Sequence, residues 1–137
     1  MSLKHVMDEL NEILVFKEKM KILQEEIVKL ETLITKINKE LNPIVVQTSR
    51  KVNNEDLILE LIEMKNEYLN ESVEFAKLKR KIIKKIIKME NKNEIVLIYR
   101  RYVLGMKLTE VAKSMKITYK WAQVLHQRGV NSFNNIV

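Results

Sequence analysis

The sequence predicts an all-α protein in which two long helices precede a smaller three-helix domain. The chain of 137 residues has only two glycines and one proline, a composition typical of long helices. Apolar residues recur at spacings of three and four through most of the chain, which is the period of an amphipathic helix. Residues 1–76 carry 10 basic and 15 acidic residues (net −5), whereas residues 77–137 carry 15 and 3 (net +12). This division favours a polyanionic partner for the second half.

The first long helix is predicted over residues 3–41. Its clearest feature is a heptad seam, an apolar row with alternating steps of three and four residues. The seam consists of Met20, Leu23, Ile27, Leu30, Ile34, Ile37 and Leu41. Such a row must pack against another helix, either of the same chain or of a second chain. Pro43 is expected to stop the helix, because the residue before a proline disfavours helical dihedrals, and Asn42 is therefore the expected terminus.

Residues 42–52 are predicted to form an extended connector, since residues 44–52 are rich in β-branched residues and of mixed polarity; a short strand is the alternative. A second long helix is expected from Asn53 to about Asn91. Its start is indicated by the capping side chains of Asn53 and Asn54, which are followed by the acidic residues Glu55 and Asp56. One stripe of this helix contains Leu57, Leu61, Met64, Tyr68, Phe75, Leu78, Ile82 and Met89. A neighbouring stripe contains Ile58, Ile62, Leu69, Val73, Ala76, Ile83 and Ile87. Two stripes indicate contacts on two sides, so residues 1–91 are predicted to form a helical hairpin or coiled-coil arm that makes a homodimer or binds another partner.

The end of the second helix, residues 77–89, is strongly basic. Its apolar side chains cover one half of the circumference, and six of its seven basic side chains cover the other. In isolation this pattern is typical of a membrane-surface or calmodulin-binding helix. Packing already accounts for the apolar half, because it continues the stripe that begins at Leu57. We therefore expect the basic face to lie along DNA phosphates, with Lys84 and Lys88 as possible contacts; a plain solvated face is the alternative.

The last third of the chain predicts two short helices joined by a tight turn. Val111, Ala112 and Met115 share one face of the first short helix. Ile117 fills the corner, and Thr118 is the expected N-cap of the next helix. The second short helix has an apolar stripe formed by Ala122, Leu125, Gly129 and Phe133. Its opposite side is polar and basic, which is the pattern of a helix-turn-helix that contacts a DNA groove.

A further helix is expected over residues 94–104, with Asn93 as its N-cap and Gly105 as its terminator. With this helix, the segment resembles region 4 of bacterial sigma factors. The resemblance covers about 40 residues and rests on Arg101-Tyr102, Gly105, Glu110-Val111-Ala112, Thr118 and Arg128-Gly129-Val130. The pair Leu125-His126 and the long helical N-terminal part are similar to small phage-encoded regulators of the ArpU/RinA kind. The resemblance implies a sigma region 4-like helix-turn-helix domain over residues 92–137, a phage or prophage origin, and RNA polymerase as a possible partner.

Three positions depart from the family pattern. Lys107 stands at the N-cap of the first short helix, where the family has Ser or Thr, so a capping interaction of ~1 kcal/mol is expected to be missing. Lys116 replaces the turn glycine and is expected to adopt φ > 0. Gly129 lies inside a helix where Ala is usual, a weakness of ~1 kcal/mol. The chain is therefore expected to be a divergent member of the family.

The helical wheel of the second short helix selects the candidate DNA contacts. The residues expected to contact base edges are Lys120, Gln123, Val124 and Gln127. The residues expected to contact phosphates or position the domain are Lys107, Lys113, Lys116, Thr118, Tyr119 and Arg128. Trp121 lies near the core boundary and is expected to be a partly buried packing residue, with a DNA contact as the alternative. His126 is expected to pack and not to bind a metal.

Catalytic and metal-binding patterns are absent from the sequence. The chain has no cysteine, no glycine-rich phosphate loop, no His/Cys/carboxylate cluster and no nucleophile elbow. We therefore expect no enzyme activity, no cofactor and no metal. The N-terminus is polar and no apolar run approaches 18 residues, so neither a signal peptide nor a membrane span is expected, and a cytoplasmic location follows by default.

The expected function is sequence-specific binding of double-stranded DNA in transcription regulation. Two alternatives remain. A small terminase-like DNA-packaging protein would also join such a domain to an oligomerising helical arm. A protein–protein adaptor would use the helix-turn-helix to contact RNA polymerase and not DNA.

Overall fold

The computed structural model describes residues 3–40 and 47–137, and every regular element in these ranges is helical. The elements are α1 (Leu3–Glu40), α2 (Gln47–Ile87), α3 (Lys92–Ile98), a π-helical turn (Tyr99–Val103), α4 (Leu108–Met115) and α5 (Tyr119–Asn134). The predicted all-α class is therefore confirmed. Among the described helices, none is long and apolar enough to cross a membrane.

The start of α2 differs from the predicted one. The helix begins at Gln47, so residues 47–52 are helical where the sequence predicted an extended connector ending before Asn53. Extending an existing helix adds a backbone hydrogen bond for each residue ordered, and this outweighs the weak helix propensity of this polar segment. The remainder of the predicted connector and the predicted stop at Asn42 and Pro43 lie outside the described residues.

The junction between α2 and α3 also falls earlier than predicted. Helix α2 ends at Ile87, not near Asn91, and α3 begins at Lys92. Asn91, and not Asn93, is the N-cap, because its side-chain oxygen accepts a hydrogen bond from the backbone N–H of Glu94 at 3.0 Å. The two asparagines flank Lys92 and are equivalent in propensity, so the sequence alone does not distinguish them.

The described residues form two compact units, one made of residues 3–17 and 75–137 and the other of residues 18–74. The first unit has a single apolar core to which all five helices contribute. Its buried members include Leu10 and Ile13 of α1, Ile82 and Ile86 of α2, Leu97 and Ile98 of α3, Val111 and Ala112 of α4, and Ala122, Leu125 and Phe133 of α5. The ends of the two long helices therefore share a core with the C-terminal helices, whereas the sequence placed a domain boundary between residues 91 and 92.

The loop after the π-helical turn is held by a residue of α1. The Lys17 ammonium donates a hydrogen bond to the backbone carbonyl of Val103. Gly105 follows with φ 74, a left-handed conformation that favours glycine, and this agrees with its predicted role as a helix terminator. The Arg101 guanidinium donates a hydrogen bond to the carbonyl of Met106 at 3.1 Å and so stabilises the same loop. These contacts fix the approach to α4.

In the unit of residues 18–74, α1 and α2 lie side by side. Ile27 and Ile34 of the predicted seam are buried. Lys65 of α2 forms an ion pair with Glu31 of α1 at 3.0 Å. A groove near Glu31 is lined by Ile27 and Tyr68, and another is lined by Leu30 and Met64. Since higher numbers on α1 meet lower numbers on α2, the two helices run in opposite directions here.

Candidate nucleic-acid interface

Helix α4 begins with half of a capping box. Lys107 has an extended backbone (φ −67°, ψ 149°), and its side chain carries no acceptor that could cap the helix. The Glu110 carboxylate instead accepts a hydrogen bond from the backbone N–H of Lys107 at 3.3 Å. The expected loss of the side-chain cap is thus confirmed, and Glu110 supplies a partial replacement. The Lys107 side chain is left exposed to solvent.

The turn between α4 and α5 has the conformation that its sequence requires. Lys116 adopts φ 58° and ψ 42°, so the predicted positive φ at this non-glycine residue is confirmed. The backbone N–H of Ile117 donates to the carbonyl of Ala112 at 3.0 Å, which closes the end of α4. Thr118 then caps α5, because its hydroxyl oxygen accepts from the N–H of Trp121 at 3.1 Å. The α4–α5 corner is therefore defined by backbone hydrogen bonds at both helix ends.

The back of α5 is buried as predicted. Ala122, Leu125 and Phe133 belong to the core of this unit. Gly129 is also part of this face, and a Cβ built at Gly129 would lie only 2.7 Å from Cγ1 of Ile98 in α3. The absence of a side chain therefore allows α5 to approach α3 closely. The sequence predicted that Gly129 weakens α5 locally, whereas the structure shows that the packing of α5 against α3 requires a glycine at this position.

The front of α5 carries the four predicted base-contacting residues. Lys120, Gln123, Val124 and Gln127 are all exposed to solvent. Asn131 is exposed as well, and it lies one turn beyond Gln127 on the same face. Sequence reasoning missed Asn131, although the same helical wheel places it directly opposite the buried stripe. This face presents amide and ammonium groups, whose hydrogen-bonding capacity suits base edges.

Trp121 lies at one flank of this front. It is 41% exposed, and the guanidinium of Arg128 lies over its indole ring at 5.2 Å from the ring centroid. Trp121 is therefore partly buried and packs against a surface arginine two turns further along α5, and a DNA contact of its exposed part stays a prediction. Arg128 itself is exposed and is held by a cation–π contact.

The other predicted positioning residues are also at the surface. Lys113, Lys116, Thr118 and Tyr119 are exposed, and the Thr118 hydroxyl oxygen already serves as the cap of α5. On α2, the predicted contacts Lys84 and Lys88 are exposed. The Lys88 ammonium lies 3.3 Å from the backbone oxygen of Val137, which brings the end of the chain next to the end of α2.

Arg100 is a cationic residue near α4 that the sequence analysis did not select as a site residue. Its guanidinium donates to the hydroxyl of Ser114 at 2.8 Å, and this hydroxyl donates in turn to the carbonyl of Val111 at 2.7 Å. Arg100 comes from the π-helical turn. No local sequence pattern predicts the contact between Arg100 and Ser114, because the two residues are 14 positions apart and belong to different elements.

Tyr102 of the π-helical turn and His126 of α5 form a polar pair. The Tyr102 hydroxyl lies 2.6 Å from Nε2 of His126, and the two rings stack with centroids 5.7 Å apart. Burial lowers the pKa of His126, and the nearby charge of Arg101 lowers it further. Burial raises the pKa of Tyr102, against the opposing effect of Arg101. A neutral imidazole that accepts from a neutral phenol satisfies both groups, in agreement with a packing role for His126.

Among the described side chains of this unit, Glu94 is charged and yet buried. The Ser132 hydroxyl of α5 donates a hydrogen bond to its carboxylate, so α3 and α5 are joined by a polar contact beside the close approach at Gly129. The described residues contain no group of His, Cys, Asp or Glu side chains able to hold a metal ion.

Together, these residues define an all-helical chain in which a buttressed helix, α5, presents a polar and basic front. Comparisons with protein-family models, with curated proteins and with solved structures gave no match. The chemistry of this surface therefore indicates the function.

Proposed function

We propose that the chain is a sequence-specific double-stranded DNA-binding regulator of transcription. In this proposal α4, the turn and α5 form a sigma region 4-like helix-turn-helix, and α5 enters the major groove as the recognition helix. The observation that carries the proposal is the front of α5, where Lys120, Gln123 and Gln127 are exposed on a helix whose other face is buried. Glutamine can pair with adenine edges and lysine with guanine or phosphate, while exposed Val124 can meet a thymine methyl.

Electrostatics supports a polyanionic partner for this part of the chain. Residues 77–137 carry 15 basic and 3 acidic residues. Exposed lysines occur at the start of α4 (Lys107), at its end (Lys113) and in the turn (Lys116), where phosphates beside a bound groove would be contacted. The exposed Lys84 and Lys88 of α2 would extend these contacts. Phosphate neutralisation supplies affinity, whereas the front of α5 supplies sequence preference.

The remaining features of the proposal follow from the resemblance to sigma region 4 and to small phage regulators. The chain would derive from a phage or prophage, and RNA polymerase would be a further partner. Separately from the resemblance, the apolar stripes of the two long helices indicate that residues 3–40 and 47–87 would form the helical arm, which would make a homodimer.

The experiment that tests the function is selection of bound sequences from a random pool of duplexes, followed by affinity measurements on the selected site over a range of salt. We expect one enriched motif and an affinity that falls steeply as salt rises. The variant with Lys120→Ala and Gln127→Ala should lose the preference for the motif and keep most of its nonspecific affinity. The matched control, Lys36→Ala with Gln24→Ala, changes the same residue types at exposed positions of α1 and should retain the preference. Affinity that does not depend on salt, or equal loss in both double variants, would overturn the proposal.

A second candidate function is supported by the apolar part of the same surface. Trp121 and Val124 are 41% and 40% exposed, on adjacent parts of α5. Exposed aromatic and aliphatic side chains are typical of protein interfaces, so an adaptor that contacts RNA polymerase through α5 is the alternative. If Trp121→Ala and Val124→Ala abolished binding to purified polymerase while duplex selection gave no motif, the adaptor would be favoured.

A further inference from the structure

The second apolar stripe of α2 is exposed in the unit of residues 18–74. Ile58, Ile62, Leu69 and Val73 are between 38% and 62% exposed, whereas Leu57, Leu61, Met64 and Tyr68 of the first stripe are partly buried. At ~100° per residue, the centres of the two stripes are about 120° apart around the helix. A helix with one neighbour needs one apolar stripe, but a helix at the corner of a four-helix bundle contacts two neighbours and needs two.

We propose that this exposed stripe is the interface for a second copy of the chain, and that two copies of residues 18–74 associate as an antiparallel, two-fold symmetric four-helix bundle. The four stripe residues are separated by 4, 7 and 4 positions, so their spacing is symmetric about the point between Lys65 and Asn66. A two-fold axis at this point places Ile58 opposite Val73 of the partner subunit and Ile62 opposite Leu69 of the partner subunit. An identical chain is therefore a matching occupant, since a two-fold interface must be self-complementary.

The neighbouring face of α1 explains why the pair is antiparallel. A groove of about 330 Å³ on the stripe side is lined by Ile27, Val28, Tyr68 and Leu69, and Val28 is 53% exposed. In the antiparallel arrangement both copies of α1 lie on the same side of the α2 pair, so the two grooves face each other and become covered. In a parallel two-fold arrangement the α1 helices would lie on opposite sides, and both grooves would stay open to water.

The charges near the stripe are compatible with this interface. Lys65 is the one basic residue among residues 54–74, and it is already paired with Glu31 at 3.0 Å. The two-fold axis brings the Lys65–Glu31 pairs of both copies together, so two positive and two negative charges meet with no net charge. Most acidic residues of this part of α2 follow the opposite side of the helix, away from the second copy, and these include Glu60, Glu63, Glu67 and Glu71. Glu55 lies on the stripe side, one turn before Ile58, at the end of the interface.

The first test is the mass of the full chain in solution, measured by sedimentation without nucleic acid. The wild type is expected at twice its monomer mass of 16.3 kDa. The variant Ile62→Asp with Leu69→Asp should be a monomer with unchanged helical circular dichroism. Its matched control is Ile22→Asp with Leu33→Asp, since these apolar residues of α1 are similarly exposed (59% and 44%) and Leu33 lines the other groove, with Met64. The control should remain a dimer; a monomeric wild type, or dissociation of both variants alike, would overturn the proposal.

The second test defines the orientation and does not depend on the stability of the aspartate variants. Because the chain has no cysteine, Ile62→Cys and Leu69→Cys each introduce a single thiol. Under mild oxidation the mixture of the two variants should give a disulfide between one Ile62→Cys chain and one Leu69→Cys chain. Disulfides within each variant alone would indicate a parallel pair and overturn the proposal, as would an assembly of eight or more subunits, which would favour DNA packaging. DNA is absent from both tests, so their outcome is separate from that of the proposed function.

Discussion

The side chain of Ile98 in α3 occupies the space that a side chain at Gly129 of α5 would need. A Cβ at position 129 would lie 2.7 Å from Cγ1 and 2.9 Å from Cδ1 of Ile98. Both residues are buried in the core that surrounds the α4–α5 corner. This relationship sets the distance between the helix that presents the polar front and the helix that supports it.

Gly129→Ala is therefore expected to destabilise the protein, although alanine is the better helix former by ~1 kcal/mol. Overpacking against Ile98 should outweigh this gain and lower the free energy of unfolding by about 1–2 kcal/mol. Urea denaturation followed by circular dichroism measures the change. Asn131→Ala, two positions further along α5 and exposed, is the control and should change stability by less than ~0.5 kcal/mol. A more stable Gly129→Ala protein would mean that α3 and α5 can separate freely.

Lys116→Gly is expected to stabilise the fold. A left-handed conformation costs a non-glycine residue roughly 1–2 kcal/mol, and glycine removes most of this while losing some chain entropy on folding. We expect a gain of about 0.5–1 kcal/mol in urea denaturation. Lys113→Gly removes the same charge three positions earlier, inside α4, and should instead lower the stability by ~1 kcal/mol. Equal effects of the two substitutions would show that the turn geometry has no energetic consequence.

The stability of the protein should depend on pH through His126. Because burial lowers the pKa of His126 in the folded state, the unfolded chain binds the proton more readily. Stability from this residue is complete above the ordinary imidazole pKa of 6.5 and is lost as the pH falls below it. The urea midpoint of the wild type should decline between about pH 7 and pH 5.

The comparison variant is His126→Gln, which can still accept a hydrogen bond from Tyr102 and does not titrate in this range. Its urea midpoint should decline less than that of the wild type, and the difference isolates His126 from the carboxylates and from His5. Parallel curves for the two proteins would contradict the assigned pKa direction.

Lys17→Met should loosen the loop that leads into α4. The substitution keeps the apolar stem but leaves the Val103 carbonyl without the ammonium that bonds it, and about 1–2 kcal/mol of stability should be lost. Hydrogen exchange should also become faster at the backbone N–H groups of Leu104 and Met106, which bond to Tyr99 and Arg100. Lys19→Met, at an exposed position of the same helix, should leave both measurements unchanged.

Local chemistry allowed the sequence to predict the α4–α5 corner well. Thr118 as a cap, Lys116 at positive φ and the buried stripe through Leu125 each depend on residues within about one helical turn. The role of Gly129 could not be predicted, because its partner Ile98 lies 31 positions earlier in the chain and belongs to another helix.

The long helices show a second limit of prediction from the sequence. Their periodicity predicted two helices and two stripes on the second, but periodicity does not indicate where a core begins along a helix. Thus the grouping of Leu10 and Ile13 with Ile82 and the C-terminal helices was not predicted. The start of α2 at Gln47 was also missed, because propensity is a weak guide where an adjoining helix can extend.

The shared core has a practical consequence for preparing the candidate DNA-binding part in isolation. A fragment that starts at Lys92 would lack Leu10, Ile13, Ile82 and Ile86, all of which are buried in the intact chain. It would therefore expose the apolar side of α3 and tend to aggregate. A single polypeptide that joins residues 3–17 to residues 75–137 through a flexible glycine–serine linker would retain the described buried side chains of this unit and should keep α5 in its native position.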